Sequence, residues 1–332
     1  MQNLQYLPYN RLGHTANIIV DSVPIESTVL TLSHWPASGS PPEFKADLSA
    51  EIVFNFLGSD IADTIKSSAE AVSTNHFDED GLVGIYTLLN PEAGLAEKEF
   101  LLDIAAAGDF GTYKNREAAQ VTFVLQAWAQ PDKSPLNRAV FRRPYDEVTS
   151  ILYEELLPRF ANLFQRVHFL EQYWKEEDLL LSWSENAIQE GSIRIEEHPH
   201  LDFSIVETPA SKEWAAARPT VSEARWTHSV CHQFAVHNAT TSSRILVSDG
   251  VRHDFYYRYE TWVETIARKP QPRRDLKPLA GKLNQLEGKK IWTAEDTKDI
   301  VPHLNFAESA KSKLNSAAVK EAFIEFFSTA NG

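Results

Sequence analysis

The stretch "TNHFDEDGLVGIYTLL", residues 74–89, sets one histidine and three carboxylates directly before an apolar run. Charge at that density costs free energy unless solvent, a helix start or a cation cancels it. "GLVGIYTLL" reads as a helix that ends near Asn90-Pro91. If the segment before it is extended, His76, Asp78 and Asp80 share one side, and Phe77 and Glu79 point the other way. An imidazole and two carboxylates converging at a strand end suit a divalent cation such as Mn²⁺, Mg²⁺ or Zn²⁺. The bland alternative is a solvated turn in which Asp80 caps the following helix.

Towards the N-terminus, "NIIVDSVPIESTVLTLSHWP" (17–36) reads as two short β-rich runs, one ending at Asp21 and the other at Ser33-His34. "ASGSPPE" is loop, and "DLSAEIVFNFL" is a helix for which Asp47 or Ser49 can serve as cap. In the other direction, "EAGLAEKEFLLDIAAAGDFGTY" is helical and should break at Gly108-Asp109. "REAAQVTFVLQAWAQ" is a further helix, and residues 145–190 are helical up to a C-cap at Gly191. From 191 the texture alternates: "SIRIEEHPHLDFSIVETP", "HQFAVHNAT", "SRILVSDGVRHDFYYRYETW" and "KKIWTAE" read as strands, with Asp249-Gly250 as a hairpin turn. "SAAVKEAFIEFFST" closes the chain as an amphipathic helix. The expectation is an α/β protein. Residues 1–190 form a mostly parallel sheet with flanking helices, and residues 191–332 form a strand-rich α+β substrate or cap domain. In parallel sheets ligands gather at the carboxyl ends of strands. Asp21, His34 and Asp109, each at the end of an element, therefore join the candidate set.

The chain has 332 residues, with 46 acidic and 32 basic side chains and a net charge of −14. No basic stripe of the kind that grips phosphates is evident, which argues against duplex nucleic acid as a partner. One cysteine, Cys231, leaves no internal disulfide to form. No signal-peptide pattern and no membrane-spanning apolar run appear, so a cytoplasmic location is expected. Oligomeric state is not legible. A GxSxG elbow, a Walker loop and a Rossmann glycine fingerprint are all missing from the sequence.

"HFDEDGLVGIYTLL" resembles the first motif of the DHH-type phosphoesterases, a His-x-Asp-x-Asp-Gly run opening a helix. "VLTLSHWPASGSPPEFKADLSAEIVFNFL" resembles that superfamily's name-giving segment, "AAAGDFGTY" its late aspartate motif, and "NIIVD" its strand-end aspartate. Together these cover about residues 17–113. Two departures stand out. Ser33-His34-Trp35 keeps one histidine of the Asp-His-His triplet, and the order of the motifs is rearranged. As a whole the chain also resembles an uncharacterised bacterial family of unknown function. The DHH resemblance implies a two-metal centre, with Mn²⁺ foremost and Mg²⁺ or Zn²⁺ as alternatives. His76 and Asp78 would hold one ion and Asp80 the other, Asp21 or Asp109 would bridge, and His34 would ligate or contact phosphate. Two such cations acidify a water and stabilise the attacking and leaving oxygens of an in-line displacement.

In the second part, "THSVCHQFAVHNATTSSR" carries His228, His232 and His237. A zinc site on the first pair is the minor reading, because no acid adjoins them in sequence. His237 and Asn238 are candidates for a substrate pocket, with Arg258, Arg244, Arg252 and Arg268 available to an anionic group. The functional expectation is a divalent-metal-dependent hydrolase, foremost a phosphoesterase. It would act on a small anionic substrate through a metal-bound hydroxide, with Asp80 and His34 as catalytic residues and His34 as base if it is not a ligand. Two alternatives stand beside it. One is a non-catalytic binding or accessory protein on a degenerate scaffold. The other is a metal enzyme of different chemistry, amide hydrolysis or biosynthetic tailoring.

Overall fold

A computed structural model describes residues 4–222, 224–308 and 310–329. The chain is α/β and forms two compact units. The first comprises residues 1–175 and 263–269, and the second 176–262 and 270–332.

The first unit holds a parallel sheet of β1 (Gln5–Tyr6), β2 (Asn17–Val20), β3 (Thr28–Leu32) and β4 (Ala71–Ser73), in the order β1-β4-β2-β3. β2 is buried at every position, as suits a strand covered on both faces. The chain passes from β2 to β3 on one side and returns to β4 on the other. The order therefore reverses between β2 and β4, and the crevice at their carboxyl ends is where such sheets bind ligands. Around the sheet lie α1 (Ser49–Leu57), α2 (Ala62–Ser68), α3 (Glu79–Leu89), α4 (Pro91–Ala96), α5 (Lys98–Phe110), α6 (Arg116–Ala129), α7 (Tyr145–Leu156) and α8 (Phe160–Gln165). α3 is nearly enclosed. It can approach β2 because residue 84 is glycine: a Cβ there would lie 2.6 Å from Cγ1 of Val20. Val20, Leu32, Val53, Leu82, Ile85, Ile104 and Val121 share the resulting core.

The two short strands, α1, α3 and α6 lie where the sequence places them. Gly108 does not break α5, which runs through Asp109 to Phe110 and ends on Gly111 in the left-handed conformation. Asp109 thus projects from a last helical turn.

Helix α9 (Glu171–Gln189) carries the division between the units. The second unit is built on a mixed sheet of β5 (Arg194–His198), β6 (Phe203–Glu207), β7 (Arg244–Ser248), β8 (His253–Tyr257), β9 (Trp292–Ala294) and β10 (His303–Phe306), in the order β5-β6-β7-β8-β10-β9. β7 and β8 pair antiparallel across the expected turn, with Gly250 at a φ of +87°. The helices are α10 (Lys212–Ala217), α11 (Trp226–Val230), α12 (Gln233–Ala239), α13 (Lys277–Glu287) and α14 (Ser316–Ser328). "HQFAVHNAT" is therefore not a strand. The ring of His232 caps α12 by accepting the Phe234 N–H at 3.0 Å, and Phe234, Ala235, Val236 and His237 are buried. Apolar residues in immediate succession satisfy either period, and the cap decides between them. Among the described residues, no helix is long and apolar enough to cross a membrane.

Candidate metal centre

All six residues expected to ligate metal meet in the first unit at the carboxyl ends of β2, β3 and β4. Asp21 follows β2 directly and holds a φ of +48°, a left-handed backbone that aspartate tolerates better than most residues. Its Oδ1 lies 3.3 Å from Nε2 of His34, and its Oδ2 lies 3.2 Å from Nε2 of His76. The His34 Nε2 also faces Asp109 at 3.4 Å and Asp80 at 3.9 Å. The His76 Nε2 faces Oδ2 of Asp78 at 2.6 Å. The cluster is thus two adjacent groups sharing Asp21: His34, Asp80 and Asp109 on one side, His76 and Asp78 on the other.

The local route differs from an extended run with alternating sides. Asp78 is the N-cap of α3, its Oδ1 accepting the Gly81 N–H at 2.8 Å, and Asp80 already lies in the first helical turn. Nor does Asp80 cap its own helix. Its carboxylate accepts the backbone N–H groups of Ser49 at 2.7 Å and Ala50 at 2.8 Å, and so caps α1 from outside. Neither Asp47 nor Ser49 caps α1; its N-cap position is Leu48, which makes no side-chain capping bond. The Ser49 hydroxyl instead donates to Oδ1 of Asp21 at 2.6 Å and accepts the His34 N–H at 3.1 Å. Sequence reasoning offers Ser49 only as a helix cap and not as a site residue, because its partners, Asp21 and His34, follow two other elements.

The ring nitrogens distinguish a ligand from a donor. Nδ1 of His34 is 2.6 Å from the Asp47 carbonyl, which can only accept, so Nδ1 carries a proton, and loss of the second proton from Nε2 would free a lone pair facing the carboxylates. His76 repeats this with Oδ1 of Asn75 at 3.0 Å. The contrast is the second unit's Glu177, His228 and His232 group. There both Nε2 atoms face Oε2 of Glu177, at 2.9 Å and 3.5 Å. The two Nδ1 atoms, however, accept backbone N–H groups from Gln233 and Phe234. In the neutral rings Nε2 then holds the proton; that of His228 donates to Glu177 at 2.9 Å and that of His232 faces the same carboxylate at 3.5 Å. This trio is suited to clamping α9 to α11 and α12, and not to ligating through Nε2.

Electrostatics point the same way. Burial opposes a charge on His34, but Asp21 and Asp80 override it and raise its pKa from 6.5 to about 9. His76 is raised well above its ordinary value by Asp78 and Asp21, against the same burial. Asp21 is held below the usual carboxylate range, because the two imidazoles outweigh its burial. Burial and then neighbouring carboxylates raise Asp80 to about 7 and Glu79 to about 8, and push Asp109 well up. Asp21, Asp78, Asp80 and Asp109 therefore crowd two imidazoles, and a divalent cation could replace the protons that let these carboxyls lie so close together. The residues fit such a cation on a second observation. Among the described residues, Oδ2 of Asp21 and Oδ2 of Asp109 are buried without a hydrogen bond of good geometry, each facing an imidazole Nε2 at 3.2 Å and 3.4 Å, whereas buried polar atoms are nearly always bonded. A donor set of nitrogen and oxygen without thiolate is one that Mn²⁺, Mg²⁺ or Zn²⁺ can use. The side chains of Asp78 and His76 are 22% and 18% exposed and those of Asp21 and His34 are closed off, so the group opens to solvent on the His76–Asp78 side.

The other candidates lie in the second unit, apart from Arg268. His237 is buried on α12 with Nε2 3.1 Å from the Tyr256 hydroxyl, and Asn238 is exposed and bonds the Phe234 carbonyl. The Arg258 guanidinium donates to the Thr240 carbonyl at 3.0 Å and pairs with Glu260 at 2.5 Å. Arg244 is similarly engaged with the Leu201 and Pro272 carbonyls. Arg252 lies over the Trp226 ring and lines a cavity of about 320 Å³ with Asp254, His303 and Asn305. Burial pushes the Cys231 thiol up to about 12, so it is no nucleophile at neutral pH.

Fold and cluster together define an α/β protein whose parallel sheet presents a histidine–carboxylate group able to hold cations. The chain belongs to a family described as "Family of unknown function (DUF6687)", whose model matches residues 2–331. Neither the curated proteins nor the solved structures contain a match.

Proposed function

We propose that the protein is a divalent-metal-dependent hydrolase of the DHH phosphoesterase type with rearranged motifs, cytoplasmic, acting on a small anionic phosphoester. The observation that carries this reading is Asp21, which turns one carboxylate oxygen toward each of two imidazoles 3.3 Å and 3.2 Å away. When bound, a pair of divalent cations supplies Lewis acidity and a nucleophile at neutral pH. The chain's own residues do the rest. Asp21 would be shared by both ions, Asp47 and Asn75 fix the imidazole tautomers, and Ser49 holds both Asp21 and the His34 backbone. Asp80 is a carboxylate of the first group and at the same time ties α1 to α3. His34 belongs to the ligand set, which leaves the exposed His76–Asp78 side for substrate. A panel of phosphoesters, assayed after chelation and again after Mn²⁺ is restored, tests this. Hydrolysis that returns with Mn²⁺ and is lost in Asp78→Asn supports it, and metal binding without hydrolysis of any member rejects it.

One observation favours a second reading, a metal-binding protein without hydrolase activity. The position after His34, where the DHH pattern has its second histidine, is Trp35, whose ring lies 4.9 Å from that of His76. The tryptophan fills space at the open side without offering a ligand.

A further inference from the structure

α7 brings one more polar atom to the centre. Tyr153 is fully buried, and its hydroxyl has no hydrogen-bond partner among the described residues. Leaving a buried hydroxyl unpaired costs roughly 1–3 kcal/mol. Nothing in its packing compels that loss, because the same ring contacts are open to phenylalanine. The ring is clamped, stacked on Tyr6 at 5.1 Å and edge-on to Phe77 at 5.4 Å, so the direction of the hydroxyl is fixed. That direction is toward Gly81. A Cβ at residue 81 would lie 2.7 Å from the Tyr153 oxygen, 3.0 Å from Oδ1 of Asp78 and 3.8 Å from Cβ of Asp21. Glycine at 81 thus clears the space in which a phenol and a candidate ligand carboxylate approach each other. The phenol keeps its proton, since burial and then the charge of Asp78 push its pKa well up. It is a donor, and the nearest acceptor named by this geometry is Asp78.

We propose that Tyr153 is a positioning residue of the metal centre: its hydroxyl donates to Oδ1 of Asp78 in the cation-loaded protein and holds that carboxylate toward its ion. The proposal rests on reading the His76–Asp78 group as a cation site. Partners behind a ligand tune affinity, typically by 10–100-fold. The role concerns one half of the centre only, because His34, Asp80 and Asp109 belong to the other group.

The test compares wild type with Tyr153→Phe, which keeps the ring contacts. Mn²⁺ binding is measured by calorimetry, and thermal unfolding is followed with and without Mn²⁺. Expected are two Mn²⁺ equivalents in wild type. In the variant one should weaken about 10–100-fold and the other stay unchanged, with a metal-free melting temperature equal to or above wild type. Unchanged affinity for both equivalents would overturn the proposal and mark the hydroxyl as a buried remnant. So would equal weakening of both together with a lower metal-free melting temperature, which would assign Tyr153 to packing alone. Should wild type bind no Mn²⁺, the cation reading itself fails and this inference with it.

Discussion

Asp21→Asn should damage both halves of the centre at once. The substitution is close to isosteric, and asparagine tolerates the left-handed backbone at residue 21 as aspartate does. Its amide oxygen can still accept from the Ser49 hydroxyl, which lies 2.6 Å from Oδ1. What is lost is the charge between the rings. The size of that loss can be gauged at His34, whose pKa is moved from 6.5 to about 9, mainly by Asp21 and then Asp80 acting against burial. At 1.36 kcal/mol per pH unit, the surroundings favour a positive charge at that nitrogen by about 3 kcal/mol. A dication in the same field gains about twice as much, and Asp21 supplies the leading share, so its neutralisation should cost about 3 kcal/mol, or roughly 100-fold in dissociation constant. The assay is Mn²⁺ calorimetry on chelator-treated protein. Both equivalents should weaken by about 100-fold in Asp21→Asn, only one in Asp78→Asn and only the other in Asp109→Asn. Asp21→Asn weakening a single equivalent, or neither by as much as tenfold, would refute the bridging assignment.

Metal uptake should release protons. His34, raised to about 9, holds its second proton near neutral pH in the metal-free protein and His76 is raised in the same direction, whereas ligation needs their nitrogens free. Calorimetry in buffers of different ionisation enthalpy should therefore show proton release, and affinity should rise with pH up to about 9, where His34 titrates. At His253, burial lowers the pKa from 6.5 to about 4. The unfolded chain then binds the extra proton first, so stability is intact above pH 6.5 and falls between 6.5 and 4, by up to about 3 kcal/mol. Urea midpoints at pH 7 and pH 4.5, with His253→Asn flattening the difference, check this. His232→Ala should remove the cap of α12 and lower stability by about 1 kcal/mol in urea unfolding, while Mn²⁺ and Zn²⁺ stoichiometry stays as in wild type.

Much of the centre was legible because its signals are local. Asp21 and His34 end short apolar runs, Asp78 precedes an amphipathic stretch, and these cues depend on neighbours within a few positions. What the sequence hid is tertiary. The cap of α1 comes from Asp80, 31 positions away. The acid beside His228 and His232 is Glu177, on another helix. Tyr153 shows in sequence only as one aromatic on a helix, and its meaning depends on the missing Cβ at Gly81. "QFAVHNA" was misread because its apolar residues satisfy two periods and its cap is a histidine, a residue outside the usual Ser, Thr, Asp and Asn signal. Segment 263–269 returns to the first unit through the Glu264 N–H to the His34 carbonyl at 2.8 Å, the Lys45–Glu264 ion pair at 2.5 Å and the Asp47 carboxylate, which accepts the Ile266 and Ala267 N–H groups, partners too far apart in the chain for a local pattern to show.

Anomalous scattering from a crystal soaked in Mn²⁺ tests the central claim most directly. Two peaks are expected on either side of Asp21, one against His34 and Asp109, the other against His76 and Asp78. Density confined to Glu177, His228 and His232, or no ordered manganese at all, would contradict it.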